Sequence, residues 1–227
     1  GAAKINTTGT VTINGNITAN GGNFGGYEST GTGGGAGGSI YITANIITGS
    51  GNVTANGGFS ANANGGGGGG GGRISLNYNE LELSSSQYTA FGGRLTAGTR
   101  KDGAAGTIFL NDLQNDYKKL IVKNCATCSN PSFNTTLLTS IPTADQDENY
   151  NNGYVFDEIE VSQYGILNIP SGLDVVSDGS ANNNRKIFAN TVTADDNNAA
   201  NGEIVYNTET YGDRKSTRLN SSHLVIS

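Results

Sequence analysis

Three stretches of the chain carry nearly the same phrase: NITANGG over residues 16–22, NVTANGG over 52–58 and YTAFGG over 88–93. Their Gly-Gly pairs begin at 21, 57 and 92, so they stand 36 and 35 residues apart. The isoleucines of the strand patterns that follow, GGSIYI, GGRISL and GAAGTIFL, fall at 40, 74 and 108, each 34 from the last. A fixed period of this length marks a stacked architecture, in which one repeat buries its apolar face only against its neighbours. Between the second phrase and its following strand lies a linker ending in eight consecutive glycines at 65–72.

The apolar residues decide what each repeat contains. With 36 glycines and 34% hydrophobic residues in 227, the chain cannot build a thick Leu-rich core, and its glycines lack the strict three-residue period of collagen. The apolar residues instead fall in pairs two apart, bounded by Gly, Asn, Ser and Asp. Examples are Val11/Ile13, Ile40/Ile42, Val53/Ala55, Ile74/Leu76, Leu81/Leu83, Ile108/Leu110, Ile159/Val161, Leu167/Ile169, Val192/Ala194 and Ile204/Tyr206. This is the strand signature. No run approaches the roughly 18 apolar residues of a membrane helix. Gly15 and Gly51 stand between such strands, where glycine at positive φ permits a sharp corner. Each repeat then holds three short strands turning one circuit, and successive circuits stack in parallel about 4.8 Å apart.

The fold class expected is therefore all-β, a parallel β-helix with Ile40, Val53, Ile74 and Ile108 inside. A hairpin meander is the alternative, and the fixed period counts against it. The organisation expected is Gly-rich coils over 1–110, a transition and loop excursion over 111–152, shorter coils over 153–212, and a separate tail over 213–227. The glycine-rich loops at 22–38, 58–73 and 93–107 leave from corresponding points, which places them on one face. NDLQNDYKK, over 111–119, is expected to form a single helical turn.

The phrases GGSIYITANIITGSGNVTANGG, GGGGGGGGRISL, GAAGTIFLND and FDEIEVSQYGILNIPSG resemble glycine-rich repeats of large bacterial and archaeal surface proteins. The resemblance implies a right-handed β-helix or adhesin-like stalk, secreted or at the cell surface. It runs from Thr10 to about Val176, and the excursion carrying Cys125 and Cys128 departs from it. The tail DRKSTRLNSSH back-translates to a string that resembles a sequencing-library adapter, and residues 224–227 fit an index with the adapter's continuation. It is set aside from the fold. Without its one acid and three bases, 18 acidic and 10 basic residues remain, a formal charge of −8. The opening at Gly1 without methionine suggests a fragment of a longer, environmentally sampled gene.

Several constellations carry chemistry on paper. Gly33 to Gly38 satisfies GxGxxG but precedes a strand, whereas a dinucleotide site needs a helix N-terminus. Cys125 and Cys128 form the sole cysteine pair. Zinc would need further ligands and a redox motif a βαβ setting, so a local disulfide is favoured, with unpaired thiols the alternative. Asp145, Asp147 and Asn149 alternate oxygens as a calcium loop begins. Tyr150 and Phe156 stand where an EF-hand needs Gly and Glu, so only a weak calcium site, or a solvated acidic loop, is expected.

Asp195 and Asp196 could pair as carboxylates, against the simpler reading of a surface turn; the only histidine, His223, lies in the tail. Arg73, Arg94 and Arg185 have no acidic partner within their coils by spacing. No catalytic residue and no cofactor is expected, with calcium the one candidate ion. Net negative charge excludes nucleic acid. Asn-X-Thr triplets at Asn6, Asn16, Asn52 and Asn134 arise readily in Thr-rich strands. The function expected is structural or adhesive, displaying loops on a stalk at the cell surface or outside the cell, with glycans or other surface proteins as partners. A ladder of Thr12, Asn14, Thr18, Thr43, Thr54 and Ser75 would offer repeated weak hydrogen bonds. The alternative is a non-catalytic portion of a polysaccharide-degrading enzyme.

Overall fold

A computed structural model describes residues 1–24, 32–60, 66–94, 102–124, 139–140, 154–169, 174–176, 186–194, 203–206 and 218–219. Every regular element among them is a strand. The first circuit is β1 (Ala2–Asn6), β2 (Thr10–Thr12) and β3 (Asn16–Thr18); the second is β4 (Ser39–Thr43), β5 (Ile46–Thr48) and β6 (Asn52–Thr54). The third is β7 (Arg73–Tyr78), β8 (Glu80–Leu81) and β9 (Tyr88–Thr89), after which β10 (Thr107–Asp112) begins another. Corresponding strands pair in parallel across circuits, as β1-β4-β7-β10, β2-β5-β8 and β3-β6-β9, so the chain is a β-solenoid of about three turns.

Register explains why alternation suffices as a code. Ile5, Ile42, Leu76 and Leu110 form one ladder, and Ala3, Ile40, Ile74 and Ile108 the next. Val11, Ile47 and Leu81 line the second sheet; Ile17, Val53 and Tyr88 line the third. Ile42, Ile47, Val53 and Leu76 are 0% exposed. Removing each such side chain from water contributes about 1.5–3 kcal/mol. The isoleucines and valine expected inside are inside: Ile40, Val53, Ile74 and Ile108 are all buried. The first circuit has a neighbour on one side among the described residues, and its Ile5, Val11 and Ile17 are accordingly only partly buried.

Two local expectations are corrected. Gly15 and Gly51 do not supply positive-φ corners: among the described residues Gly49 is the one glycine there, at φ 122°. Gly51 is needed for room, because a Cβ on it would lie 1.8 Å from the Gly15 carbonyl oxygen. The expected helical turn at 111–119 is a hairpin. The Asp112 carboxylate accepts the amides of Gln114 and Asn115 at 3.0 Å each, and Asp116 turns the chain at φ 49°. This Asx-type capture of amides competes with a helix and wins here.

That hairpin reverses the strand direction. β11 (Tyr117–Lys123) pairs antiparallel with β10, and parallel coiling then resumes through β12 (Thr139–Ser140), β13 (Tyr154–Ser162), β14 (Ile166–Ile169), β15 (Asp174–Val176), β16 (Lys186–Ala194) and β17 (Glu203–Tyr206). β11, β13 and β16 extend the first sheet in parallel, with β15 at its edge; β12, β14 and β17 form a fourth sheet. β18 (Arg218–Leu219) pairs antiparallel with β17 in that fourth sheet.

The buried side of the first sheet changes at β11. Ile108 and Leu110 face the first core, and their partners on β11 are Ile121 and Lys119. Ile121 joins that core, whereas Leu120, Val122, Ile159 and Val161 are buried on the opposite face. The two runs of coils therefore use opposite sides of one continuous sheet.

Candidate functional site

The glycine-rich excursions form a surface built largely of main chain. After β3, β6 and β9 the chain runs outward through 19–24, 55–60 and 90–94, and it returns through 32–38, 66–72 and 102–106. Outgoing legs bond to one another from Gly21 to Asn56, Phe24 to Phe59, Gly57 to Phe91 and Ser60 to Arg94. Returning legs do so from Gly34 to Gly67 and Gly37 to Gly70. Between the two layers, Gly35 donates to Gly22 and Gly38 to Ala19, Gly69 to Gly58 and Gly72 to Ala55, Gly103 to Gly93 and Gly106 to Ala90. All these N···O distances lie between 2.6 and 2.9 Å.

Equivalent donors recur every third residue. That is the screw of a polyproline-II helix, which has no internal hydrogen bonds and so leaves its backbone groups to its neighbours. The legs are thus packed as a slab, two layers deep, held chiefly by main-chain hydrogen bonds. Glycine is needed for closeness: a Cβ on Gly21, Gly57, Gly58, Gly69, Gly92 or Gly93 would lie 1.9–2.0 Å from a carbonyl oxygen of another leg. The Gly33 to Gly38 tract belongs to this packing.

One residue in three escapes it. On the outgoing layer these are Asn20 and Asn23, Asn56 and Phe59, Phe91 and Arg94. On the returning layer Ala36, Gly70 and Ala104 leave a nearly bare surface. The asparagines splice successive outgoing legs, since Asn20 Oδ1 accepts the Asn56 amide at 2.7 Å, Asn56 Oδ1 the Phe91 amide at 2.7 Å and Asn23 Oδ1 the Phe59 amide at 3.0 Å.

Among the described residues the third circuit has no fourth glycine layer above it, and two side chains stand in for one. Asn124, buried just past β11, accepts the Gly92 amide at 2.9 Å and donates to the Gly103 carbonyl at 3.4 Å; Thr139 donates to the Ala105 carbonyl at 2.5 Å. Replacing Asn124→Ala would leave the buried Gly92 N–H unpaired, a penalty of about 1–3 kcal/mol. Urea unfolding checks this: the midpoint should fall with the slope unchanged, and a midpoint equal to the parent's would show that Asn124 does not close the slab.

A second polar group ends the first core. Lys119 bridges Glu158 and Glu160 at 2.8 Å each, and the Tyr117 hydroxyl donates to Glu158 at 2.5 Å. Burial and the Glu158 hydrogen bond push the Tyr117 phenol up to about 12. Burial acts to raise Glu158, but the bonds from Lys119 and Tyr117 outweigh it and hold the carboxyl below its ordinary value. Burial likewise acts to lower Lys119, and its two carboxylates reverse the shift upward. The Lys123 ammonium donates to the Ser85 carbonyl at 2.9 Å and lies 5.7 Å from the Tyr88 ring centre. Partnered charges of this kind suit an end cap, which a solenoid needs where stacking stops.

Cys125, Cys128, Asp145, Asp147, Asn149, Asp195, Asp196 and Arg185 are outside the described residues, as are the excursion tips at 25–31, 61–65 and 95–101. Among the described residues no three His, Cys, Asp or Glu side chains converge as a metal site would require, and no helix is long and apolar enough to cross a membrane. Of the expected polar ladder, Thr12, Asn14 and Thr18 are exposed while Thr43, Thr54 and Ser75 are half-buried. The slab face was not among the expected sites. Its signal was the phrase itself: N-GG-N, N-GG-F and F-GG-R set two glycines between each pair of outward positions.

No protein-family model matches the chain, and neither does any curated protein or solved structure compared with it.

Proposed function

We propose that the chain is a structural, adhesive segment of a large secreted or cell-surface protein, holding loops out from a β-solenoid. The observation that carries this reading is the registration of the three excursions. Phe24 bridges Ser60 in parallel, and the Ser60 amide bonds to Arg94, so the three outgoing legs stand in adjacent layers. Such a body is a stiff spacer with a repeated surface, and repetition converts feeble single contacts into avidity. The cysteine pair suits an oxidising compartment.

Two measurements on the purified chain test it together. Beads coated with the chain should adhere to chitin, mannan or bacterial-envelope surfaces above beads coated with an unrelated acidic protein. Incubation with pectic, β-glucan and host-type glycans, with and without calcium, should release no reducing ends or unsaturated products. Absence of adhesion would overturn the reading. So would product release that disappears in Asp195→Ala or Asp196→Ala, which would favour an enzyme.

A further inference from the structure

We infer that the outgoing face of the glycine slab is a glycan-binding platform, with Phe59 as its stacking ring and the asparagine amides as its fixed donors. This rests on the adhesive reading and adds the site and the ligand class. Three observations support it.

The first is geometry. Six outward positions form a two-by-three array, with Asn20, Asn56 and Phe91 in one column and Asn23, Phe59 and Arg94 in the other. Three polyproline-II residues separate the columns, about 9 Å at 3.1 Å rise per residue, which is the scale of a disaccharide. The array is backed by the main-chain hydrogen bonds between the legs.

The second is the orientation of the amides. A backbone N–H only donates, so the atom of Asn20, Asn23 and Asn56 that meets one must be Oδ1. Each Nδ2 then keeps its two N–H groups, and none has a further hydrogen bond among the described residues. The donors are held in place before any ligand arrives, which removes part of the ordering cost of binding.

The third is the exposed aromatic. Phe59 is 38% exposed, among the few large apolar side chains of the described residues left open to water, and it stands in its column between Asn23 and Arg94. A flat ring beside fixed N–H donors matches a pyranose, which offers an apolar C–H face and a rim of hydroxyl acceptors. The Arg94 guanidinium adds further donors and suits a uronate carboxylate should the sugar carry one.

Native gels cast with laminarin, mannan, soluble xylan or polygalacturonate give the test, read as retardation of the folded chain. The parent should be slowed by at least one of them. Phe59→Ala and Phe59→Leu should each weaken that retention about tenfold, as loss of a stacking anchor does, while Phe59→Tyr keeps it. Leu retains apolar volume without the flat ring, so the Leu and Tyr variants carry the test if Ala perturbs folding; melting temperatures verify that each is folded. Selective slowing by polygalacturonate, lost in Arg94→Gln, would identify a uronate as the sugar. Retention unchanged in Phe59→Leu, or no retention of the parent in any gel, would overturn the platform. If bead adhesion survives either result, the adhesive reading stands without it.

Discussion

Gly69→Ala should lower the melting temperature by about 10 °C or more, and Gly70→Ala, one residue on, should lower it not at all. A Cβ on Gly69 would sit 1.9 Å from the Gly35 oxygen, 2.4 Å from its carbon and 2.9 Å from the Ala36 nitrogen. These are backbone atoms with no rotamer to change. Gly35 is itself fixed on both sides, donating to Gly22 and accepting from Gly58, so relief requires the layers to part and their hydrogen bonds to lengthen. Overpacking costs about 1–3 kcal/mol or more, and each weakened hydrogen bond adds roughly 0.5–1.5 kcal/mol. For a chain of this size about 2–4 °C accompanies each kcal/mol.

Gly70 meets nothing nearer than the Ala104 oxygen at 4.0 Å, and its φ is outside the left-handed region. Alanine there narrows the unfolded ensemble and should stabilise by about 0.4–1 kcal/mol. Thermal melts of the two variants decide the matter. Equal melting temperatures would show that the legs are not packed on one another, and that the glycines serve only as a linker.

The contrast also explains what the sequence could and could not convey. Alternation at Ile40/Ile42 or Ile74/Leu76 is a direct imprint of the pleat, so the coils and their core were legible without coordinates. Glycine is ambiguous, because the same residue answers a need for positive φ and a need for space. Reading Gly51 as a corner chose the wrong need, and Gly15, where an added Cβ would meet nothing within 4 Å, answers neither. The Gly-Gly pairs at 21, 57 and 92 were visible as period markers, yet their packing partners, Gly35, Gly69 and Gly103, come from the returning legs and are set by tertiary contact.

The reversal at 112–117 was hidden for a related reason. NDLQNDYKK has helix-compatible spacing, and the decision passed to one carboxylate, Asp112, which holds two amides. The change of buried face did leave a trace in Leu120-Ile121-Val122, three consecutive apolar residues where the earlier strands alternate. A strand covered on both faces needs such a run.

Ile74→Asp should be the most damaging single change in the first three circuits, because its effect reaches the coil on either side. Ile74 is 1% exposed and sits in register between Ile40 and Ile108, both buried. A carboxylate there would displace an apolar rung and enter an apolar ladder. An unpaired charge left inside a protein costs several kcal/mol, and each coil of a solenoid depends on its neighbours. The expected result is loss of the cooperative transition of the Gly-rich half, or a melting temperature lowered by at least about 10 °C.

The pH dependence separates charge from shape. Burial raises the folded-state pKa of the new Asp above its unfolded value of about 3.9. The penalty is therefore fully present above the raised pKa, and it shrinks as pH falls toward the unfolded value, where both states bind the proton. The gap between parent and variant should narrow on acidification from pH 7 toward about 4, whereas the gap for Ile74→Asn, which loses the same shape without a titrating group, should stay constant. A variant that melts with the parent at pH 7 would place Ile74 outside the core. A pH-independent gap in Ile74→Asp would mean that the coil opens to hydrate the carboxylate, so that adjacent circuits are coupled less tightly than their shared ladders imply.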